Sequence, residues 1–386
     1  MFAKCTHHLN SSFIRDILAV TQQPGIISFA GGLPDPTLFP KAELAKAARG
    51  IHNQYGGDLY QYSETAGIPD FRQWIADHYD TPGSKEEIII TTGSQQGLDL
   101  TTRCLINPGD KIIVEAPSYL GALQVFTANQ ASLSAIPIDD EGPDLDALEH
   151  YLEQERISCF YTVPDFQNPK GTSYLLQRRK ALVALAERYD FWIMEDAPYR
   201  ELRYRGETLP SLQSLSPERV IRFGSFSKII APALRLGWIS APQPVIKIVE
   251  KMKQCADLHS SGYDQHLVLE FLRQGSLPAH LEQLKQVYGE RLKIMFNTLS
   301  SQLPETVKLS KPDGGMFIWT ELSETADTMK LFRKAIKQGV AFVPGEAFHI
   351  DGGSKNCLRF NFSNSDSEQI QQGIKRLTAL IINESE

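Results

Sequence analysis

Cys159-Phe-Tyr-Thr-Val163, Leu175-Leu-Gln-Arg-Arg-Lys-Ala-Leu-Val-Ala-Leu-Ala-Glu-Arg-Tyr189 and Phe191-Trp-Ile-Met-Glu195 follow one another in the chain. The first and third are short apolar runs that read as strands buried on both faces, and the second repeats apolar residues at helical spacing. Strand, helix, strand in this order predicts parallel strands joined by a crossover helix. The alternation extends outward from about Lys85 to Ser240. Ile88–Thr92, Lys111–Glu115, Leu133–Ile138, Val220–Gly224 and Leu236–Ser240 read as further strands, and Leu145–Gln154 as another amphipathic helix. The expected class is α/β, a mostly parallel sheet flanked by helices, whose ligands sit where the carboxyl ends of the strands lead into loops. The C-terminal third differs, with strands expected at Met316–Thr320, Val340–Val343 and Leu358–Phe362 and helices at Met329–Gln338 and Glu368–Ile382. This gives a smaller α+β domain. The first residues are rich in Gly and Pro around Gly31–Pro40, a punctuated stretch expected to pack on the small domain and a partner chain. The expected division is 1–55 for that segment, 56–285 for the large domain and 286–386 for the small one.

With 386 residues the chain is long enough for one large and one small core. A formal net charge of -7 excludes a broad nucleic-acid-binding surface, which needs clustered positive charge. Five cysteines, odd in number and far apart, fit reduced thiols better than disulfides or a zinc site, so no metal is expected. The N-terminus lacks the apolar core of a signal peptide and no run of about 18 apolar residues occurs, which predicts a cytoplasmic protein without a membrane span.

The chemistry-bearing residues fall at the expected strand ends. In Gly224-Ser-Phe-Ser-Lys228-Ile-Ile-Ala-Pro-Ala-Leu-Arg235 a lysine follows a strand, with hydroxyls before it and an arginine after it. Desolvation and nearby cations would lower the pKa of such an amine, letting it form an imine with an aldehyde and carry protons. Ser225, Ser227 and Arg235 suit a phosphate dianion. The competing reading is a solvated lysine in a Ser-rich turn. Thr92-Gly-Ser94-Gln95 follows another strand and opens a helix, which makes an anion site of free N–H groups or an ordinary Ser cap. No Walker lysine follows, so a nucleoside triphosphate does not fit. Asp196 and Tyr199 follow the strand ending at Glu195. A buried aspartate needs a cationic or N–H partner, such as a protonated pyridine nitrogen, unless it merely caps the next turn. Asn168, in an Asn-Pro turn, could donate to a phenolate oxygen, and Tyr119 could stack on a flat ring or belong to the core. Arg359 interrupts the apolar run Cys357-Leu-Arg-Phe-Asn-Phe362 and must find a carboxylate, either a substrate's or a structural one.

In this order the segments resemble the class I aminotransferases of the fold-type-I pyridoxal-phosphate enzymes. The resemblance is closest to the α-aminoadipate and kynurenine aminotransferases, a subgroup similar to the catalytic domain of certain winged-helix regulators. Ile14-Arg15-Asp-Ile-Leu, Ser28-Phe-Ala-Gly-Gly-Leu-Pro34, Tyr60-Gln-Tyr62-Ser, Thr91-Thr-Gly-Ser-Gln-Gln96, Gly314-Gly-Met-Phe317 and Phe342-Val-Pro-Gly345 carry it, beside the lysine box. The resemblance implies pyridoxal 5′-phosphate as cofactor, Lys228 as Schiff-base lysine and proton carrier, and Asp196 on the pyridine nitrogen. It implies Asn168 and Tyr199 on O3′, Tyr119 on the ring face, and Ser94, Gln95, Ser225, Ser227 and Arg235 on the phosphate. Tyr62 would reach that phosphate from the other subunit of a homodimer with shared active sites. Arg359, with the backbone of Gly32 close by, would bind the α-carboxylate of an amino acid, and Arg15 would meet an acidic side chain. The implied reaction is ping-pong transamination between an amino acid and a 2-oxo acid such as 2-oxoglutarate, the donor being 2-aminoadipate-like, aromatic or branched-chain. The subgroup's Pro-Gly-Leu-Arg and Asn-Pro-Thr-Gly are here Pro232-Ala-Leu-Arg235 and Asn168-Pro-Lys170-Gly171, and Lys170 beside the cofactor rim could alter substrate preference. Two other activities fit parts of the pattern: a lyase, decarboxylase or racemase on the same fold, and a pyridoxal-phosphate-sensing regulator. The regulator reading is disfavoured by the acidic charge and by the expectation that Ile14 already belongs to the enzyme body.

Overall fold

The computed structural model describes residues 2–6, 25–81 and 83–385. Strands among these residues are, in chain order, β1 (Ile27–Ser28), β2 (Ile88–Thr91), β3 (Lys111–Ala116), β4 (Ser132–Pro137), β5 (Cys159–Thr162), β6 (Trp192–Asp196), β7 (Val220–Ser225) and β8 (Gly237–Ser240). They continue with β9 (Lys308–Leu309), β10 (Phe317–Glu321), β11 (Val340–Ala341), β12 (Val343–Pro344) and β13 (Cys357–Asn361).

β2 to β8 form one seven-stranded sheet in the order β2-β8-β7-β6-β5-β3-β4. Neighbours are parallel except at β8, which runs against both β2 and β7. Alternation along the strands builds the two covered faces. Ile113, Phe160, Ile193 and Val220 point to one side, under Leu148, Leu152, Leu182 and Leu185 of the helices Leu145–Gln154 and Leu176–Tyr189. Ile112, Tyr161, Met194 and Ile221 point to the other, into the main core. The central strands β5 and β7 are buried along their whole length, whereas the edge strand β4 is exposed at Ser132 and Pro137, half-buried from Leu133 to Ala135 and buried at Ile136. The other edge strand, β2, is buried along its whole length, so burial alone does not tell an edge strand from a middle one.

The smaller sheet has the order β12-β13-β10-β9, all antiparallel, and β1 pairs in parallel with β11. Val340–Val343, expected as one strand, is divided: β11 joins β1 while β12 joins β13. Phe342 between them is fully buried, its ring against Phe332 and Phe360, so the chain changes sheets without leaving the core. An apolar run has no way of marking such a crossing. Phe29 hydrogen-bonds Ala341 and Asn361, beside the smaller sheet, whereas the helix Lys41–Tyr55 packs on the helix Gly262–Arg273. Residue 285, the expected domain limit, lies inside the continuous helix Leu277–Gln302, which packs on Ser367–Ser385. Among the described residues no helix is long and apolar enough to cross a membrane.

Candidate active site

Because β8 runs backwards, its N-terminal end meets the carboxyl ends of the parallel strands. A cavity of about 260 Å³ opens there. Its lining includes Gly32, Ser94, Gln95, Tyr119, Asn168, Asp196, Tyr199, Ser225, Ser227, Lys228, Arg235 and Arg359. These are twelve of the fourteen residues singled out in the sequence.

One end of the cavity is built for an anion. β2 passes into a turn at Gly93 (φ +79), and the helix Ser94–Leu105 begins with no side-chain cap. Its first N–H groups are thus available to a ligand at the positive end of the helix dipole. A Cβ on Gly93 would stand 2.7 Å from Nη2 of Arg235, so a glycine lets the guanidinium lie against the turn. Arg235 itself is left-handed (φ +48) and donates to Thr92 O at 3.4 Å. Ser225 and Ser227 are buried beside it, with Ser227 N donating to Ser225 Oγ at 3.2 Å.

At the middle of the cavity stand an amine and a carboxylate. Lys228 Nζ donates to Gly32 O at 2.8 Å. Burial, then the Arg359 and Arg235 guanidiniums, lower its pKa to about 8. Asp196 is buried at the end of β6; its Oδ2 accepts from Tyr161 Oη at 2.9 Å, and among the described residues its Oδ1 has no partner. Burial raises its pKa to about 7, against the pull of the Tyr161 hydrogen bond. An unpaired, deeply buried carboxylate oxygen is costly, so this oxygen awaits a donor.

The far end holds Arg359, in the middle of β13 and only 4% exposed. Its guanidinium lies over the rings of Phe317 and Phe348, at 4.2 and 5.0 Å from their centroids. Nη1 donates to Asn168 Oδ1 at 2.6 Å and Nη2 to Ala30 O at 2.5 Å, while Nε has no partner among the described residues. Among the described residues no carboxylate pairs with it, which removes the structural salt bridge and leaves a charge able to bind an acid. Asn168 Nδ2 also reaches Tyr199 Oη at 3.5 Å, and Tyr119 Oη donates to Gln95 Oε1 at 3.3 Å. Burial pushes the Tyr119 phenol up to about 12 and raises that of Tyr199 as well, so both remain donors.

Tyr62 does not line this cavity; it is 80% exposed, its ring edge-on to His259. Arg15 lies outside the described residues. Lys170 also stands away from the lining, its amine donating to Ile138 O at 2.7 Å, so the expected effect at the cofactor rim has no contact behind it. Three contributors escaped the sequence reading as site residues: Tyr161, Phe317 and Phe348. Tyr161 lies in an all-buried strand where a phenol is indistinguishable from core until its partner is known.

The signs of the two pKa shifts set an expected pH dependence for the ligand-free protein. Asp196 is raised from 3.8 to about 7, so stability present below pH 3.8 is lost as pH rises through 7. Lys228 is lowered from 10.5 to about 8, so stability present above pH 10.5 is lost as pH falls through 8. Both costs coincide between 7 and 8. Thermal melts of the ligand-free protein from pH 5 to 9 should show Asp196→Asn flattening the acid-side slope; an unchanged slope contradicts this assignment.

The fold and the cavity together define a fold-type-I pyridoxal enzyme of α/β class. The family model for aminotransferase class I and II matches residues 30–377, and the chain belongs to that family. It is 41% identical over 383 residues to aromatic-amino-acid aminotransferase 1 of Thermococcus litoralis, covering 97% of this chain and 92% of that protein. It is 42% identical over 381 residues to the 2-aminoadipate transaminase of Thermus thermophilus, covering 97% and 95%. The crystal structure of α-aminoadipate aminotransferase from Thermus thermophilus, complexed with N-(5′-phosphopyridoxyl)-L-leucine, superposes with a TM-score of 0.94 at 39% identity, over 100% of this chain and 98% of that one. The chain is an aminotransferase.

Proposed function

We propose that this aminotransferase passes an amino group from an L-amino acid to a 2-oxo acid in two half-reactions at this single cavity. The proposed acceptor is 2-oxoglutarate, and the proposed donor is 2-aminoadipate-like, aromatic or branched-chain. One observation carries the reading: the Lys228 amine, an Asp196 oxygen with no partner among the described residues, and an Arg359 guanidinium with no carboxylate among them, open into the same cavity. Pyridoxal 5′-phosphate is the cofactor, and when bound it supplies an aldehyde and an electron-withdrawing ring. The residues present fit it. Ser94, Gln95, Ser225, Ser227, Arg235 and the first-turn N–H groups would hold its phosphate. Asp196 Oδ1 would meet the ring nitrogen, Asn168 and Tyr199 the ring oxygen, and Tyr119 the ring face.

Lys228 would carry the cofactor covalently at rest. Once released, its amine takes the α-proton of the substrate and returns it elsewhere, and a pKa near 8 leaves a usable fraction of free base at neutral pH. Arg359 fixes the α-carboxylate by charge-assisted hydrogen bonds, exchanging its present contacts with Asn168 and Ala30 for the substrate. The Phe317 and Phe348 rings keep water from that charge pair and strengthen it. Tyr62, exposed here, is proposed to complete the phosphate site of a second copy in a homodimer, and Arg15 to meet acidic substrate side chains. All five cysteines are free, which fits the cytoplasmic location proposed.

Incubating the holoenzyme with a panel of amino acids, with and without 2-oxoglutarate, tests the reading. The expected result is 2-oxo acid and glutamate in equal amounts, with sustained turnover only when the acceptor is present. Product formation that continues undiminished without any 2-oxo acid would assign a lyase or decarboxylase instead.

A further inference from the structure

Behind the turn that carries Ser94 and Gln95 lies a polar knot that the reaction as described does not use. Its centre is Lys253, in the last turn of the helix Gln243–Ala256 and 0% exposed. Its amine donates to Asp257 Oδ1 and Oδ2 at 2.8 and 3.0 Å, to Ser260 Oγ at 3.1 Å and to Gln96 Oε1 at 3.0 Å. Gln96 belongs to the first turn of the helix Ser94–Leu105. Its Oε1 also accepts from Thr92 N at 2.7 Å, and its Nε2 donates to Asp257 Oδ2 at 2.6 Å. Thr92 Oγ1 donates to that same oxygen at 3.1 Å. One lysine–aspartate pair therefore grips the turn at both ends, at Thr92 and at Gln96.

Withdrawing an ammonium group from water is costly unless hydrogen bonds replace the lost hydration. Here four acceptors surround three protons, so the charge is satisfied. The turn it serves has a glycine at positive φ and no side-chain cap on the helix, and apart from this knot its side-chain hydrogen bonds include Thr91 Oγ1 to Gly93 O at 3.0 Å and Arg235 to Thr92 O at 3.4 Å. We propose that Lys253, acting with Asp257 and Gln96, is a positioning residue that holds the Thr92–Gln96 turn in the shape that binds the cofactor's phosphate. This rests on the reading of that end of the cavity as the phosphate site. Lysine and aspartate together are close to neutral, so the contribution is to geometry and adds no net charge for the phosphate.

The test uses cofactor-free Lys253→Met and Asp257→Asn proteins, titrated with pyridoxal 5′-phosphate and separately with pyridoxal, which has the same ring and aldehyde without the phosphate. Dissociation constants are read from visible absorbance. Each variant should weaken the phosphorylated ligand about tenfold, the scale of one or two net hydrogen bonds, with pyridoxal binding essentially unchanged. Lys253→Gln, which keeps a donor, should recover part of the loss and serves where the Met variant fails to fold. Equal weakening of both ligands means general damage and overturns the proposal, as does unchanged binding of both. A wild-type protein that binds the two ligands equally well would remove the phosphate reading itself, and the proposal with it.

Discussion

Lys228→Ala should abolish the visible absorbance of bound cofactor and lower turnover by at least ~10²–10⁴-fold, the range supplied by a positioned proton carrier. Two properties of the amine lead to this expectation. It is the amine placed at the centre of the cavity, hydrogen-bonded to Gly32 O, and its pKa is lowered towards neutrality by burial and two guanidiniums. Among the described residues no neighbouring group is placed to replace it. Asp196 accepts from Tyr161 through one oxygen and is proposed to meet the ring nitrogen through the other, and the Tyr119 and Tyr199 phenols hold their protons too tightly to serve as bases at neutral pH. Absorbance spectra and steady-state rates of the purified variant check the result, and a variant that keeps wild-type turnover would contradict the role.

Arg359→Ala is expected to cost about 2–5 kcal/mol of substrate binding, the penalty for truncating one partner of a buried charge pair. That corresponds to roughly thirtyfold to a few thousandfold in kcat/KM at about 1.4 kcal/mol per decade. The signature is selectivity. The wild-type enzyme should strongly prefer an amino acid over the amine lacking its carboxyl group, and the variant should lose most of that preference. Arg359→Lys keeps the charge but not the two-pronged geometry or the stacking on Phe317 and Phe348, so it should rescue only partly. Retained discrimination between acid and amine in the Ala variant would place the carboxylate elsewhere.

Much of this site was legible because parallel sheets expose chemistry at one edge, so a lysine, an aspartate and an asparagine just past three apolar runs were already neighbours in expectation. The seven strands of the large sheet fall within a residue or two of their expected limits, because each is centred on a short apolar run. The order of those strands was not legible, since β8 reversing between β2 and β7 leaves no mark in an apolar tetrapeptide. Pairing across long sequence separations was hidden too. That Arg359 has no acidic partner among the described residues, that Tyr161 donates to Asp196 and that Lys253 ties Thr92 to Gln96 depend on contacts between distant segments. The division of Val340–Val343 between two sheets is of the same kind, fixed by the burial of Phe342 and not by its neighbours in sequence.

The central claim is that the amine of Lys228 is the point at which the cofactor is fixed. Reduction of the purified holoenzyme with borohydride, followed by proteolysis and mass mapping, measures this directly. The expected result is one phosphopyridoxyl group per chain, carried on Lys228. A label on any other lysine, or none after reduction of a protein that turns over, would contradict the account.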